Sequence, residues 1–185
     1  MHAAAANAEK LRTSNYIKCF RMVDITGLVI AVQSLGYAGA LLSGFLGSSS
    51  LFIALFPSYL VVPVLATQLN PAAVGILAGI GAGVGQFLHY YIGLGGRVVM
   101  PQKYKDRIDA WRGAWKERLD RYGLLLIFAF AATPLTPDDV LWITLGIIKY
   151  PKAKALAAAI AGKIVLNIVY AYAGFYGWRF VQAWV

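Results

Sequence analysis

Apolar residues along the chain fall into five long runs, 25–46, 51–69, 72–99, 124–148 and 155–185, separated by short connections except for residues 100–123. At 1.5 Å per residue, each is long enough in principle to cross about 30 Å of hydrocarbon. Two runs carry prolines inside them: Pro57 and Pro63 in the first, Pro134 and Pro137 in the second. A proline removes an amide donor and disfavours helix at the preceding residue, so both runs are predicted to break. Between the third and fourth runs, Tyr104, Ile108, Trp111, Trp115, Leu119 and Tyr122 recur at spacings of three and four, opposite Lys105, Arg107, Arg112, Lys116 and Arg121. This pattern predicts an amphipathic helix over 101–123, lying at the membrane surface with its tryptophans at headgroup level. It serves either as an interfacial strut or as a lipid-sensing element.

Composition turns these runs into a class. With 59% hydrophobic and 14% charged residues, the chain is expected to be an all-α, multi-pass integral membrane protein of the cell membrane. The start, Met1-His-Ala-Ala-Ala-Ala-Asn, has no basic segment followed by a short apolar core, so a cleaved signal peptide is not expected. Cys19 is the sole cysteine, which excludes an intramolecular disulfide and a Cys-based metal cluster; it is expected to be a bystander near the membrane surface. The net charge of +9 flanks apolar spans instead of forming a stripe on a soluble domain. Its expected partners are therefore membrane lipids, through anionic headgroups or lipid phosphates, and not nucleic acid. A homo-oligomer is compatible with such a chain.

Charge also sets topology. Basic residues cluster before the first run (Lys10, Arg12, Lys18, Arg21), from Arg97 to Arg121, and before the last run (Lys149, Lys152, Lys154). The positive-inside rule places all three clusters in the cytoplasm, including the N-terminal segment 1–24. After an N-terminal transmembrane helix over 25–47, that is possible only if 51–69 and 124–148 enter the membrane and turn back on the side they came from. Broken backbone at such depth is tolerated where protein or a wet cavity satisfies it. The alternative is a pair of proline-kinked spanning helices.

Sliding the chain by 80 residues aligns Pro57 with Pro137, Pro71 with Pro151 and Tyr90 with Tyr170. Residues 51–99 and 124–185 thus form two repeats, each a re-entrant hairpin plus a transmembrane helix. Since the hairpins enter from opposite sides, the repeats are inverted, an arrangement that places a site near the midplane in many secondary transporters.

Ionisable and polar groups at that depth are functional candidates because burying them costs about 2.5–3.5 kcal/mol each on insertion scales. They are Asp138 and Asp139 on the second hairpin, Lys163 and Asn167 on the last helix, Gln86 and His89 on the middle one, and Ser58 with Tyr59 on the first hairpin. Lys163 and Asn167 share a helix face. Thr136-Pro137-Asp138-Asp139 is also an ordinary helix start, with a cap, a proline and two acids in the first turn. Lys163, the obvious internal cation, is the expected partner of one aspartate. Adjacent carboxylates that repel can retain a proton, which suits proton coupling.

Enzyme chemistry finds little support, with no catalytic residues, metal site or cofactor expected. The two histidines cannot build a His-rich metal site, and neither a Gly-x-Ser-x-Gly elbow nor a Ser-His-Asp order occurs. Gly79, Gly81, Gly83 and Gly85 follow no strand and are expected to permit close helix packing instead of binding a nucleotide.

The stretch Phe56-Pro57-Ser58-Tyr59-Leu60, the spaced glycines, Tyr91-Ile-Gly-Leu-Gly-Gly-Arg97, Ala132-Thr-Pro-Leu-Thr-Pro-Asp-Asp-Val140 and Tyr150-Pro151 through Gly162-Lys163 together resemble the DedA family, also called the VTT or SNARE-associated domain. The resemblance covers about residues 45–180. It implies an all-helical fold with two opposed re-entrant hairpins and movement of lipids or lipid-linked phosphate carriers between leaflets, as a translocase or scramblase. Small-solute or ion transport and a structural role in membrane organisation are the alternatives. The chain departs from the family pattern at Tyr59 and Gln86, where many bacterial members carry acids. It departs again at Ala131-x-x-Pro134-x-x-Pro137, where some carry Arg-x-x-Pro-x-x-Arg.

Overall fold

A computed structural model of the protein describes residues 25–49, 58–134 and 138–183. Cys19, the N-terminal basic cluster, Pro57, Pro137 and the first arm of the first expected hairpin lie outside the described residues. The chain divides into two compact units, Met1–Ala31 and Val32–Val185. The described residues form eight α-helices and no strand: α1 (Ile25–Ser34), α2 (Tyr37–Ser49), α3 (Ser58–Gln68), α4 (Pro71–Val99), α5 (Gln102–Ala114), α6 (Lys116–Ala132), α7 (Asp138–Ile147) and α8 (Lys152–Gln182). In the first unit the described residues, 25–31, are helical.

Two helices therefore replace the single one expected over 25–47. The break falls at Leu35 and Gly36, whose amides bond to the carbonyls of Val32 and Gln33 at 3.3 and 3.1 Å. Gly36 adopts φ +56° in open space, a conformation that glycine takes without a Cβ penalty.

In the second unit, α4 and α8 pack along each other. Gly75, Gly79 and Gly83, four residues apart, meet Ile168, Ile164 and Ile160, so close that a Cβ on Gly79 would lie 2.4 Å from the Ile164 Cα. The intervening Gly81 and Gly85 face another way, onto the carbonyls of Leu41 and Phe45 in α2, at 2.0 and 2.5 Å from their ideal Cβ positions. Every-second-residue spacing thus serves two helix faces at once, since residues four apart share a face and residues two apart do not. Around this pair, α3 and α6 pack on α8, and α7 packs on α4.

Asn70 starts α4, its side-chain oxygen accepting from the amides of Ala72 and Ala73, with Pro71 at the first helical position. α4 and α8, 29 and 31 residues long, are long and apolar enough to cross a membrane. Their outward residues are large and apolar, including Val84, Leu88 and Ile92 on α4 and Val165, Val169 and Tyr172 on α8. Their buried residues include Gln86, His89, Lys163 and Asn167. This reverses the pattern of a helix on a water-soluble core and matches a hydrocarbon exterior.

The basic linker expected as one helix over 101–123 is two. The chain leaves helical geometry at Trp115 (φ −103°, ψ 7°), and α6 then runs without interruption into the next apolar run. The Trp111 and Trp115 rings stack at 6.0 Å, and the Arg118 guanidinium sits 4.5 Å over Trp115, holding the turn from both sides.

Candidate functional site

The densest polar contact inside the helices lies between α4 and α7. Gln86 and His89 are one turn apart on α4, and Asp139 and Trp142 are one turn apart on α7, so each pair presents one face. Trp142 Nε1 donates to Gln86 Oε1 at 3.2 Å, with both side chains fully buried. One turn along, His89 Nδ1 lies 3.1 Å from Asp139 Oδ1. These atoms are within ion-pair distance but not aligned for a hydrogen bond, and neither buried ring nitrogen of His89 has a hydrogen-bond partner among the described residues. A buried polar group left unmatched costs about 1–3 kcal/mol, so the His89 position is expensive by the standards of a purely structural one. The histidine is 0% exposed and the Asp139 side chain 25% exposed, so the pair joins a sealed interior to an accessible carboxylate. The arrangement sets an imidazole beside a carboxylate inside the helices.

The other sequence candidates are placed as follows. Lys163 and Asn167 are both buried on α8, and Asn167 Nδ2 donates to the Lys163 carbonyl at 2.8 Å. Their neighbours Gly162 and Ile164 pack on α6 and α4. Ser58 and Tyr59 open α3, the serine half-buried and the tyrosine 53% exposed. Pro63 lies inside α3 and packs against Gly174 of α8. Pro134 follows the end of α6, and Asp138 is the first residue of α7, its side chain lying outside the described part. Asp139 and Gln86 are thus brought to one interface, Lys163 and Asn167 to one helix face, and Ser58 with Tyr59 to the start of another helix.

A second polar cluster joins the end of α4, the linker and the α7–α8 turn. Arg97 is 5% exposed; its Nη2 donates to both Asp109 oxygens at 2.8 and 2.6 Å, and its Nη1 to the Ile147 carbonyl at 2.9 Å. Tyr90 Oη donates to the Tyr150 carbonyl at 2.9 Å. Burial pushes the Tyr150 phenol above its ordinary pKa, and the Asp120 carboxylate adds to the effect. Arg97 and Asp109 also line a cavity of about 540 Å³, together with Lys116, Leu119 and Asp120 from the start of α6 and Lys149, Tyr150 and Pro151.

Trp142 had no place among the sequence candidates, whereas His89 was a candidate alongside Gln86 and Arg97 stood in the basic cluster from Arg97 to Arg121. The available signal for His89 was its three-residue spacing from Gln86, which puts both on one helix face. No local pattern signals that Arg97 reaches Ile147, fifty residues along the chain. The family model of the VTT domain matches residues 56–176, more than half of the chain. No significant match was found among curated proteins or solved structures.

Proposed function

This chain belongs to the VTT-domain family, the DedA family of membrane proteins, and from that premise we propose that it moves lipids or lipid-linked phosphate carriers between leaflets through a cavity between two opposed re-entrant hairpins. The family is transporter-like, and the proposed role is transport without an enzymatic step.

One observation carries the reading. The chain leaves the linker along α6, turns near Pro134 and comes back along α7 to the same cavity, which residues 116–120 and 149–151 both line. The apolar part of α6 and the ten residues of α7 each extend about 15 Å at 1.5 Å per residue, half the roughly 30 Å hydrocarbon thickness. Two half-length helices that start and end at one cavity support a re-entrant hairpin, with Asp139 near its tip at membrane depth. With the basic linker in the cytoplasm, this hairpin enters from that side.

The packing of the helices supports the inverted repeat. α3 begins at Ser58 and α7 at Asp138, eighty residues apart, and each packs on the long helix of the other half. Pro63 meets Gly174, and Ile143, eighty residues after Pro63, meets Gly93, eighty-one before Gly174. Broken helices in inverted repeats place a site where the half-helices meet. The His89–Asp139 pair is the group best placed for proton coupling, with Lys163, Asn167, Ser58 and Tyr59 as further candidates on the paired helices. Transport of a small solute or ion is the second reading, favoured by the compactness of the His89–Asp139 contact.

Reconstitution separates these. In proteoliposomes holding a fluorescent phospholipid, the purified chain is expected to expose inner-leaflet lipid to a membrane-impermeant quencher beyond the level in empty vesicles. Quenching equal to that of empty vesicles, for both phospholipid and lipid phosphate, would overturn the lipid reading.

A further inference from the structure

We propose that the cleft between the linker and the α7–α8 turn is a binding site for a phosphate group, separate from the His89–Asp139 pair. Two cavities, of about 540 and 570 Å³, flank Arg97, Asp109 and Lys149, which line both. Arg112 and Lys116 complete the first and Lys105 the second. Four cations line the first cavity with Asp109 and Asp120, and three line the second with Asp109, so each carries an excess of two positive charges. Asp109 is 53% exposed, so water screens its charge, while the Arg97 guanidinium it steadies is almost wholly buried. Arg97 is thus fixed in advance, and a ligand need not order it.

The backbone at Lys149 is a second and independent indication. Tyr150 N–H bonds to the Leu145 carbonyl at 2.9 Å and Lys149 N–H to the Gly146 carbonyl at 3.1 Å, the pairing that closes a helix with a left-handed residue. That residue is usually glycine. Here it is Lys149, at φ 54°, the one non-glycine residue with positive φ among the described residues. An outlier of this kind points to a use for the side chain that the turn itself does not require. Lys149 lines both cavities.

The start of α8 adds a third feature. Pro151 lines the first cavity, and the helix it precedes has no side-chain cap on its first amides. The positive end of a 31-residue helix is therefore directed at the same space. A phosphate group, with about 1.5–2 negative charges and three acceptor oxygens as a monoester, matches this excess of charge and donors. Exposed Trp111 and Trp115 beside it suit the headgroup level of a bilayer, where a lipid phosphate would arrive; a free phosphate has the same chemistry.

The test uses the full-length protein and reads thermal unfolding, so its outcome is independent of any transport activity. In detergent, inorganic phosphate is expected to raise Tm saturably beyond chloride at matched ionic strength. In vesicles, phosphatidylcholine containing phosphatidic acid is compared with phosphatidylcholine alone. A saturable shift with inorganic phosphate alone identifies a free phosphate, and a shift with phosphatidic acid identifies a lipid headgroup; either supports the site. Lys149→Gly relieves the left-handed strain, so it is expected to keep or raise the ligand-free Tm while weakening the ligand response at least fivefold. Lys116→Gln, at an exposed position, is expected to weaken it in the same direction. No saturable shift with either ligand, or responses unchanged in both variants, would overturn the proposal.

Discussion

Gly79→Ala is expected to destabilise the protein, whereas Gly95→Ala, the same substitution sixteen residues along the same helix, is expected to stabilise it. A Cβ at Gly79 would lie 2.4 and 2.6 Å from the Ile164 Cα and N, which are backbone atoms that cannot rotate away. α4 and α8 would have to separate, and the close packing that holds helices together in a membrane would be lost. Overpacking of this kind costs about 1–3 kcal/mol. At Gly95 a Cβ meets nothing within 4 Å, so alanine only reduces the freedom of the unfolded chain, a gain of about 0.5–1 kcal/mol. Thermal unfolding of the two variants in one detergent measures both. A Gly79→Ala protein as stable as the parent would contradict the close packing of α4 on α8.

The other large effect concerns transport. Asp139→Asn is expected to lower lipid movement in proteoliposomes at least tenfold, a loss of about 1.4 kcal/mol. The substitution keeps the size of the side chain and its exposure at the start of α7 but removes the charge that lies 3.1 Å from His89. His89→Gln keeps a buried polar group but cannot take up a proton; it is expected to abolish any response of the rate to an imposed proton gradient. Asp106→Asn is the control, because Asp106 accepts from Gln102 on the exposed linker. If Asp139→Asn matched that control, its carboxylate would be reduced to the acid of an ordinary helix start.

Much of the architecture was legible because hydrocarbon imposes length and apolarity on whatever crosses it. The runs at 72–99 and 155–185 correspond to α4 and α8, and Pro134 of the second broken run follows the end of α6. The glycine spacing gave close packing but not its division between α8 and α2, because one period of two contains two faces of a helix. Gly36 was hidden in its apolar surroundings: a left-handed break needs a glycine, but most glycines make no break. The division of the linker at Trp115 was invisible for a related reason. Aromatic residues continue the helical period across the turn, and only the stacking of Trp111, Trp115 and Arg118 marks it.

The site was legible by residue type more than by partner. Depth made Gln86, His89, Asp139, Lys163 and Asn167 candidates, since each is costly to bury. Their pairing depends on how helices far apart in sequence cross, which local periodicity does not encode. Asp139 meets His89 and Gln86 meets Trp142 because α7 packs on the long helix of the opposite half. Arg97 belonged in the sequence to a run of basic residues expected at the surface, yet it is buried and ties the linker to the α7–α8 turn.

The inward and return path of α6 and α7 is tested most directly by the accessibility of single cysteines in sealed vesicles of one orientation. In a Cys19→Ser background, Lys103→Cys on the linker and Lys154→Cys at the start of α8 flank the excursion, and Gln68→Cys at the end of α3 marks the other face. A re-entrant hairpin predicts that a membrane-impermeant maleimide labels Lys103→Cys and Lys154→Cys from the same face and Gln68→Cys from the opposite one. Labelling of Lys103→Cys and Lys154→Cys from opposite faces would make residues 116–148 a kinked spanning segment and contradict the hairpin.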